Sequence, residues 1–284
     1  MGVKNTQFNT RSSWFSEYVS GKYVGYHSEQ LTDATPSSVA PKGMTATGGI
    51  VGDWAAPTGE VYRTHVFTSS GTLVVDRTSD LPEIPSSFDY LVVGGGGAGG
   101  MAHSANATGG GGAGGVRCSL PAYPNATPSL TLDAVTYTIT VGAGGVGVAE
   151  PGYSRPGSDS SIASPTAPAL VVGSGGGAGR GSTLTPGPGT DGGSGGGADT
   201  YQPSPTSGGA TIASPDGLSP TVQGNDGGSG DNPAPGGGGG GGLAAAGQND
   251  GTPHGGGDAG AGMYFLMAGN SPGTIAVSYT HLRA

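Results

Sequence analysis

The sequence has little charge, few aromatic residues and almost no cysteine. Of its 284 residues, 10% are charged, 6% are aromatic and one, Cys118, is a cysteine. A single cysteine excludes a framework of internal disulfides and a cysteine-based metal cluster. The five histidines are scattered, and no two lie at a spacing typical of metal ligands. The sequence therefore predicts no metal site.

Basic residues are also scarce. Lys and Arg number 10 against 19 Asp and Glu, which gives a formal net charge of −9 at pH 7. Nucleic-acid binding depends on clustered Lys and Arg, so we expect no nucleic-acid partner. No apolar run is long enough to cross a bilayer, and the first residues lack the apolar stretch of a secretory signal. We therefore expect neither membrane insertion nor a signal peptide.

Glycine and proline dominate what is present, with 63 and 22 residues. Residues 1–60 differ from the rest because they contain both tryptophans, Trp14 and Trp54, in a mixed sequence. Beyond them the chain alternates short apolar stretches with glycine runs. The main runs are 94–100, 109–115, 142–147, 173–181, 192–197, 236–242 and 255–262. We predict an N-terminal attachment or irregular segment, 1–60, and a glycine-rich domain, 61–276.

The stretch FDYLVVGGGGAGG at 88–100 has the spacing of a dinucleotide-binding turn, G-x-G-x-x-G, at Gly94, Gly96 and Gly99. Such a turn must open a helix, whose N-terminal N–H groups hold the pyrophosphate. The residues that follow are too rich in glycine to be helical. Between Asp89 and Asp133 there is no acidic residue to bind the ribose. We therefore predict no nucleotide, no cofactor and no enzyme.

Two interpretations of the glycine runs compete. The runs could be flexible linkers, because glycine loses the most entropy on ordering. Alternatively, each run is a left-handed extended helix, polyglycine II, whose N–H and C=O groups bond to neighbouring helices. Apolar stretches such as VTYTITV (135–141) and MYFLMA (263–268) beside the runs favour the second interpretation. The predicted fold is irregular or all-β, with short strands flanking packed polyglycine II helices and almost no α-helix.

A local hairpin is also predicted in residues 61–76, VYRTHVFTSSGTLVVD. Two β-rich stretches flank Ser69-Ser70-Gly71, and glycine suits the positive-φ position of a tight turn.

The stretches YRTHVFTSSGTL (62–73), FDYLVVGGGGAGG (88–100) and YTITVGAGGVG (137–147), followed by more glycine runs, carry a resemblance. Together they resemble a glycine-rich domain family of bacteriophage tail-fibre and other virion proteins, and are similar to the tip adhesins of T-even phage tail fibres. The resemblance implies a structural and adhesive protein of a virion (phage tail) or of extracellular location. It also implies two kinds of partner, a bacterial surface receptor (an outer-membrane protein or a saccharide) and other virion proteins.

The loops between the runs are the predicted recognition sites, because they combine aromatic and polar residues with stiffening proline. These loops are 102–108, 150–159, 199–207 and 247–255. The receptor-binding candidates are His103, Asn106, Tyr153, Arg155, Tyr201, Asn249 and His254. The predicted scaffold glycines are Gly94, Gly96, Gly99, Gly176 and Gly238. Aspartates beside the runs, such as Asp191 and Asp226, depart from calcium-binding repeats and are interpreted as turn caps.

The final residues, VSYTHLRA (277–284), look like a translated sequencing adapter and are excluded from the predicted fold. Two alternatives to the virion module stay open. One is a secreted or cell-surface glycine-rich binding protein of a cellular organism, and the other is a disordered glycine-rich linker.

Overall fold

The structure is a computed structural model. It describes residues 44–55, 61–79, 86–101, 107–121, 123–148, 154–181, 187–200, 206–230, 236–250 and 256–263. The chain divides into two compact units, Met1–Gly43 with Ser79–Ile84 and Met44–Thr78 with Pro85–Ala284. All the strands below belong to the second unit. The predicted adapter, 277–284, and most of the predicted N-terminal segment lie outside the described residues.

The described part of the chain consists of strands and irregular segments and contains no helix, so the predicted all-β or irregular class is confirmed at that level. Accordingly, no helix in this part is long and apolar enough to cross a membrane. The strands are β1 (Thr45–Thr47), β2 (Ile50–Ala55), β3 (Val61–Val66), β4 (Gly71–Arg77), β5 (Ser87–Phe88), β6 (Leu91–Val93), β7 (Val116–Cys118), β8 (Leu130–Thr131), β9 (Thr136–Thr140), β10 (Ser160–Ala163) and β11 (Val171–Gly173).

Five strands form an antiparallel sheet in the order β1-β4-β9-β10-β11. Strand β9, TYTIT, shows why the sequence folds this way, because Tyr137 and Ile139 are buried while the threonines between them are exposed. This two-residue alternation suits a sheet with one face against a core and one face in water. Strands β2 and β3, β5 and β8, and β6 and β7 form three further antiparallel pairs.

One apolar cluster lies against the inner face of the sheet. It consists of Leu73, Val75, Tyr90, Val92, Leu132, Tyr137, Ile139, Ile162 and Val171. A second, smaller cluster contains Val116, Cys118 and Tyr123. We call the five-stranded sheet together with β6 and β7 the strand base. The large apolar side chains that the sequence has are concentrated there, which is how a chain so poor in them forms a core.

The predicted hairpin at 61–76 is wrong in its pairing, although both of its strands exist. Strand β3 pairs with β2, with Ile50 opposite Val66, whereas β4 lies between β1 and β9. The positive φ values near this region belong to Gly48 (121°) and Gly49 (64°), between β1 and β2. A local turn signal predicted the partner incorrectly because the partners of β4 come from distant parts of the chain.

Glycine-rich segments continue the strands. Strand β6 leads into residues 94–100, β9 into 142–147 and β11 into 174–181, while residues 109–115 lead back into β7. Segment 94–100 therefore runs antiparallel to 109–115. It does not open a helix, as a dinucleotide-binding turn would have to.

Hydrogen bonds between these segments recur every third residue. Three amides of segment 94–100 donate to carbonyls of 109–115 at 2.9 Å, in the pairs Gly94–Gly115, Gly97–Gly112 and Gly100–Gly109. The residues that follow two of them, Gly95 and Ala98, donate instead to Ser158 and Arg155 of another segment. The partner thus changes from one residue to the next and returns after three.

Segment 109–115 has neighbours on all sides. It donates to segment 174–180 through Gly109, Gly112 and Gly115. It donates to Gly238 and Gly241 through Gly110 and Ala113, and accepts from Gly197 and Ser194. With 94–100, four segments surround it, and five of its seven amides, those of Gly109, Gly110, Gly112, Ala113 and Gly115, donate to backbone carbonyls of other segments.

Candidate functional site at the loop end

Six five-residue stretches interrupt the described chain within the glycine-rich domain: 102–106, 149–153, 182–186, 201–205, 231–235 and 251–255. Hydrogen bonds tie a flank of each stretch to a flank of another stretch, and in one case they join the two flanks of the same stretch. The links are Gly100–Gly109, Ser154–Gly99, Gly109–Arg180, Gly187–Asp199, Thr206–Gly230 and Gly236–Asp250. All six stretches therefore begin and end at the same end of the bundle. We call the residues that flank them the loop end.

The described chain begins and ends at the opposite side. Met44 packs against the sheet cluster, and Met263 packs against the cluster of Val116, Cys118 and Tyr123. The glycine-rich segments run from the strand base to the loop end, so the two ends of the domain carry different structures. One end carries the strands together with Met44 and Met263, and the other carries the residues that flank the six stretches.

Two of the seven receptor-binding candidates lie within the described residues, and both are exposed at the loop end. The Arg155 amide donates to Val146 at 3.0 Å and its carbonyl accepts from Ala98 at 3.2 Å, which leaves the side chain outward. Asn249 accepts a hydrogen bond from the Ser229 amide at 2.8 Å through its side-chain oxygen. The other five, His103, Asn106, Tyr153, Tyr201 and His254, lie outside the described residues. Each belongs to a stretch whose flanking residues are at the loop end.

The five scaffold glycines fall into two groups when a Cβ atom is built on each. At Gly94, Gly176 and Gly238 it would lie 2.1, 2.2 and 2.0 Å from a backbone oxygen of a neighbouring segment. No side chain fits there without moving that neighbour. At Gly96 and Gly99 the nearest atom would be 3.8 and 4.0 Å away, an ordinary contact. The spacing of the glycines in the sequence does not distinguish the two groups.

Side-chain oxygens complete the hydrogen-bond columns where a segment has no further backbone carbonyl to offer. Asp159 accepts from the Gly175 amide, Asp191 from Ala210, Asp226 from Thr211 and Asp250 from Gly236, at 2.7–3.1 Å. Oxygens engaged in this way stand in for backbone carbonyls. Asp191 and Asp226 accept from residues 19 and 15 positions away, so they bond to another segment and not within a turn, contrary to the turn-cap interpretation. Among the described residues there is no group of three or more His, Cys, Asp or Glu that could hold a metal ion.

Sequence reasoning missed a buried ion pair at the strand base. The Arg117 guanidinium donates to both carboxylate oxygens of Asp216, at 3.0 and 2.8 Å, and to the carbonyls of Leu218 and Pro220. Both side chains are almost completely buried. Burial raises the pKa of Asp216, but the hydrogen bonds from Arg117 and from the Val172 and Leu218 amides outweigh it and lower the pKa overall. The pair fixes the connection that precedes segment 224–230.

Two further buried residues at the strand base, Cys118 and Gln223, carry no sequence pattern that marks them as structural. Cys118 is 0% exposed, and burial raises the pKa of its thiol. Gln223 is also 0% exposed, and its side-chain oxygen accepts from the Ser174 amide at 2.8 Å. It occupies the position of a backbone carbonyl at the start of segment 174–181.

The sequence model of the glycine-rich domain family matches residues 67–280, well over half of the chain. The chain belongs to this family. No curated protein and no solved structure matches it significantly. Membership in the glycine-rich domain family accounts for the alternation of strands and glycine runs, and it leaves the binding partner of the domain to be proposed from the site itself.

Proposed function

We propose that this glycine-rich domain is a non-enzymatic structural and adhesive virion module, a phage tail-fibre or receptor-binding protein that displays recognition loops on a polyglycine II scaffold. The observation that carries the proposal is that the two ends of the glycine-rich domain differ. The flanks of six stretches meet at one end, and the strands lie at the other with Met44 and Met263. A protein that attaches through one end and recognises through the other needs this arrangement.

Three features support the polyglycine II scaffold. Hydrogen bonds recur every third residue, the repeat of a left-handed extended helix with three residues per turn. Segments approach so closely that a Cβ atom is excluded at most buried positions, which is why such helices are made of glycine. Positive φ values occur, among the described glycines, at Gly48, Gly49 and Gly217, all outside the runs. The negative φ region is the one that a left-handed extended helix uses.

The recognition loops are proposed to contact a bacterial surface receptor, an outer-membrane protein or a saccharide. Recognition residues are commonly carried on loops that a rigid scaffold positions, and tyrosine, histidine and arginine offer both apolar surface and polar groups. Arg155 and Asn249 are exposed where such a surface would form. Residues 1–60 are proposed to attach the domain to other virion proteins.

Binding of the full-length chain to bacterial cells tests the proposal. The labelled protein is incubated with a panel of bacterial strains and bound protein is measured by flow cytometry. In one variant residues 251–255 are replaced by a Gly-Ser sequence of equal length, and in another Arg155 is changed to alanine. The matched control is Arg63→Ala, since Arg63 is also an exposed arginine but lies on β3.

We expect the loop-end variants to lose binding while keeping the thermal unfolding midpoint of the parent, and the control to bind normally. If the loop-end variants and the control bind alike, recognition does not occur at the loop end. If the folded parent binds no strain, the adhesive function is wrong, although the scaffold is unaffected by that result.

A further inference from the structure

The loop end contains a buried carboxylate that nothing above explains. Asp199 is 0% exposed, and its Oδ1 accepts a hydrogen bond from the Gly187 amide at 3.1 Å. The Thr206 hydroxyl donates to the Asp199 carbonyl and lies 3.5 Å from Oδ1. No described residue donates a hydrogen bond to Oδ2. One oxygen of this carboxyl group is therefore held and the other is buried without a donor.

Asp199 joins the flanks of three of the six stretches. Gly187 follows stretch 182–186, Thr206 follows 201–205, and Gly230 precedes 231–235. Gly230 packs so closely that a Cβ atom on it would lie 2.2 Å from the Asp199 carbonyl oxygen. The carboxyl group thus contacts the Gly187 flank, whereas the Asp199 backbone carbonyl contacts the Thr206 and Gly230 flanks. A change in the charge of the carboxyl group acts on the first flank directly and on the other two through the backbone of Asp199.

The ionised form of Asp199 is poorly compensated. A buried carboxylate is tolerated when donors or an opposite charge satisfy it, and otherwise its charged form is disfavoured. Arg180 is the charged group that acts on Asp199 among the described residues, and its guanidinium lies against Gly187, within 2.9 Å of the position that a Cβ atom would take there. The positive charge of Arg180 also makes this a poor place for a metal cation.

We propose that Asp199 is a pH-dependent latch for the loop end: in its neutral form it holds the three flanks together, and its ionisation loosens them. The latch acts on the scaffold whatever the loop end binds, so it is independent of the proposed function.

The direction of the effect follows from the environment of the carboxyl group. Burial raises the pKa of Asp199, and the Gly187 hydrogen bond, the charge of Arg180 and the Thr206 hydrogen bond offset this only in part. A group whose pKa is higher in the folded chain stabilises the fold below its unfolded pKa, and this stabilisation is lost as the pH rises through the folded pKa. The three flanks at the loop end are therefore held together most stably in acid, and this stabilisation is lost as the pH rises toward neutral.

Amide hydrogen exchange across pH tests the latch, with intrinsic exchange rates corrected for pH. The probes are amides beside Asp199 in segments 187–190 and 206–209, such as Gly189, which donates to Ser207, and Gly209, which donates to Gly196. In the parent we expect their protection factors to fall by about tenfold as Asp199 ionises. In Asp199→Asn, which cannot ionise, the fall disappears. Asp159→Asn is the matched control, because exposed Asp159 accepts from the Gly175 amide beside β10 and β11 and contacts neither probe segment.

A second measurement needs no variant. The carboxyl carbon of Asp199 is titrated by NMR in the parent protein, and its midpoint should lie above that of an ordinary aspartate and coincide with the change in protection. A midpoint at or below the ordinary value overturns the proposal. So does a fall in protection that persists unchanged in Asp199→Asn.

Discussion

Alanine at Gly97 and alanine at Gly96 should have opposite effects on stability, although the residues are adjacent in one glycine run. A Cβ atom at Gly97 would lie 2.0 Å from the backbone oxygen of Gly177. To reach 3.4 Å, where ordinary contact begins, segment 174–181 must move by about 1.4 Å. At Gly96 the nearest atom would be 3.8 Å away, and the residue is exposed.

The magnitude for Gly97→Ala follows from what the movement disrupts. Gly177 accepts from the Gly112 amide and donates to Ser194, both at 2.8 Å. Each such bond contributes about 0.5–1.5 kcal/mol net, and forcing extra atoms into a packed interior costs about 1–3 kcal/mol. After relaxation, we expect Gly97→Ala to lower the free energy of unfolding by about 2–4 kcal/mol. Gly96→Ala should raise it by about 0.4–1 kcal/mol, because alanine restricts the unfolded chain.

The assay is thermal unfolding of the full-length chain and its two variants. For a domain of about 200 residues each kcal/mol shifts Tm by about 2–4 °C, so Gly97→Ala should lower Tm by about 5–15 °C. Gly96→Ala should leave Tm unchanged or raise it slightly. Equal shifts in the two variants would falsify the packing of segment 94–100 against 174–181.

Three further predictions concern individual side chains. Asp216→Asn leaves the Arg117 charge buried and unpaired, and should lower the free energy of unfolding by about 3–5 kcal/mol, as urea unfolding would show. In the parent protein the ion pair stabilises the fold at neutral pH, and this stabilisation is lost as the pH falls through the lowered pKa of Asp216. Cys118, buried with a raised pKa, should resist thiol reagents at pH 7 until the protein is unfolded, as thiol titration would show. Arg63→Ala removes an exposed ion pair with Asp53 and should change stability by about 0–1 kcal/mol; a larger loss would contradict its exposure.

The sequence predicts which stretches form strands better than it predicts how those strands pair. The alternation in TYTIT, residues 136–140, and the apolar stretch LVV, residues 91–93, predict strands because the signal is contained within each stretch. Strand β10 begins with two serines, and its sequence, SSIA, was not recognised as a strand. Its hydrogen bonds with β9 and β11 on both sides stabilise it as a strand, although its residues have little intrinsic preference for one.

Residues that act across long separations could not be found from sequence. Arg117 and Asp216 are 99 positions apart, and no local pattern links them. Asp191 and Asp226 are interpreted from sequence as local turn caps, but they accept from Ala210 and Thr211 of another segment, which no local pattern encodes. The meeting of the described segment ends at the loop end is a third case. It follows from the direction of each segment, which is set by pairings that the glycine runs, being nearly identical, do not encode.

The recurrence of hydrogen bonds every third residue has a consequence for how such a domain can change in length. In the proposed polyglycine II scaffold, deleting one residue from segment 109–115 would turn the remainder of that segment by a third of a revolution. Amides that now meet 174–180 would then face a different neighbour. Removing or adding three residues restores every partner and changes the height of the segment by about 9 Å. The lengths of glycine runs among relatives should therefore differ by multiples of three residues, so that each residue keeps the same neighbouring segment.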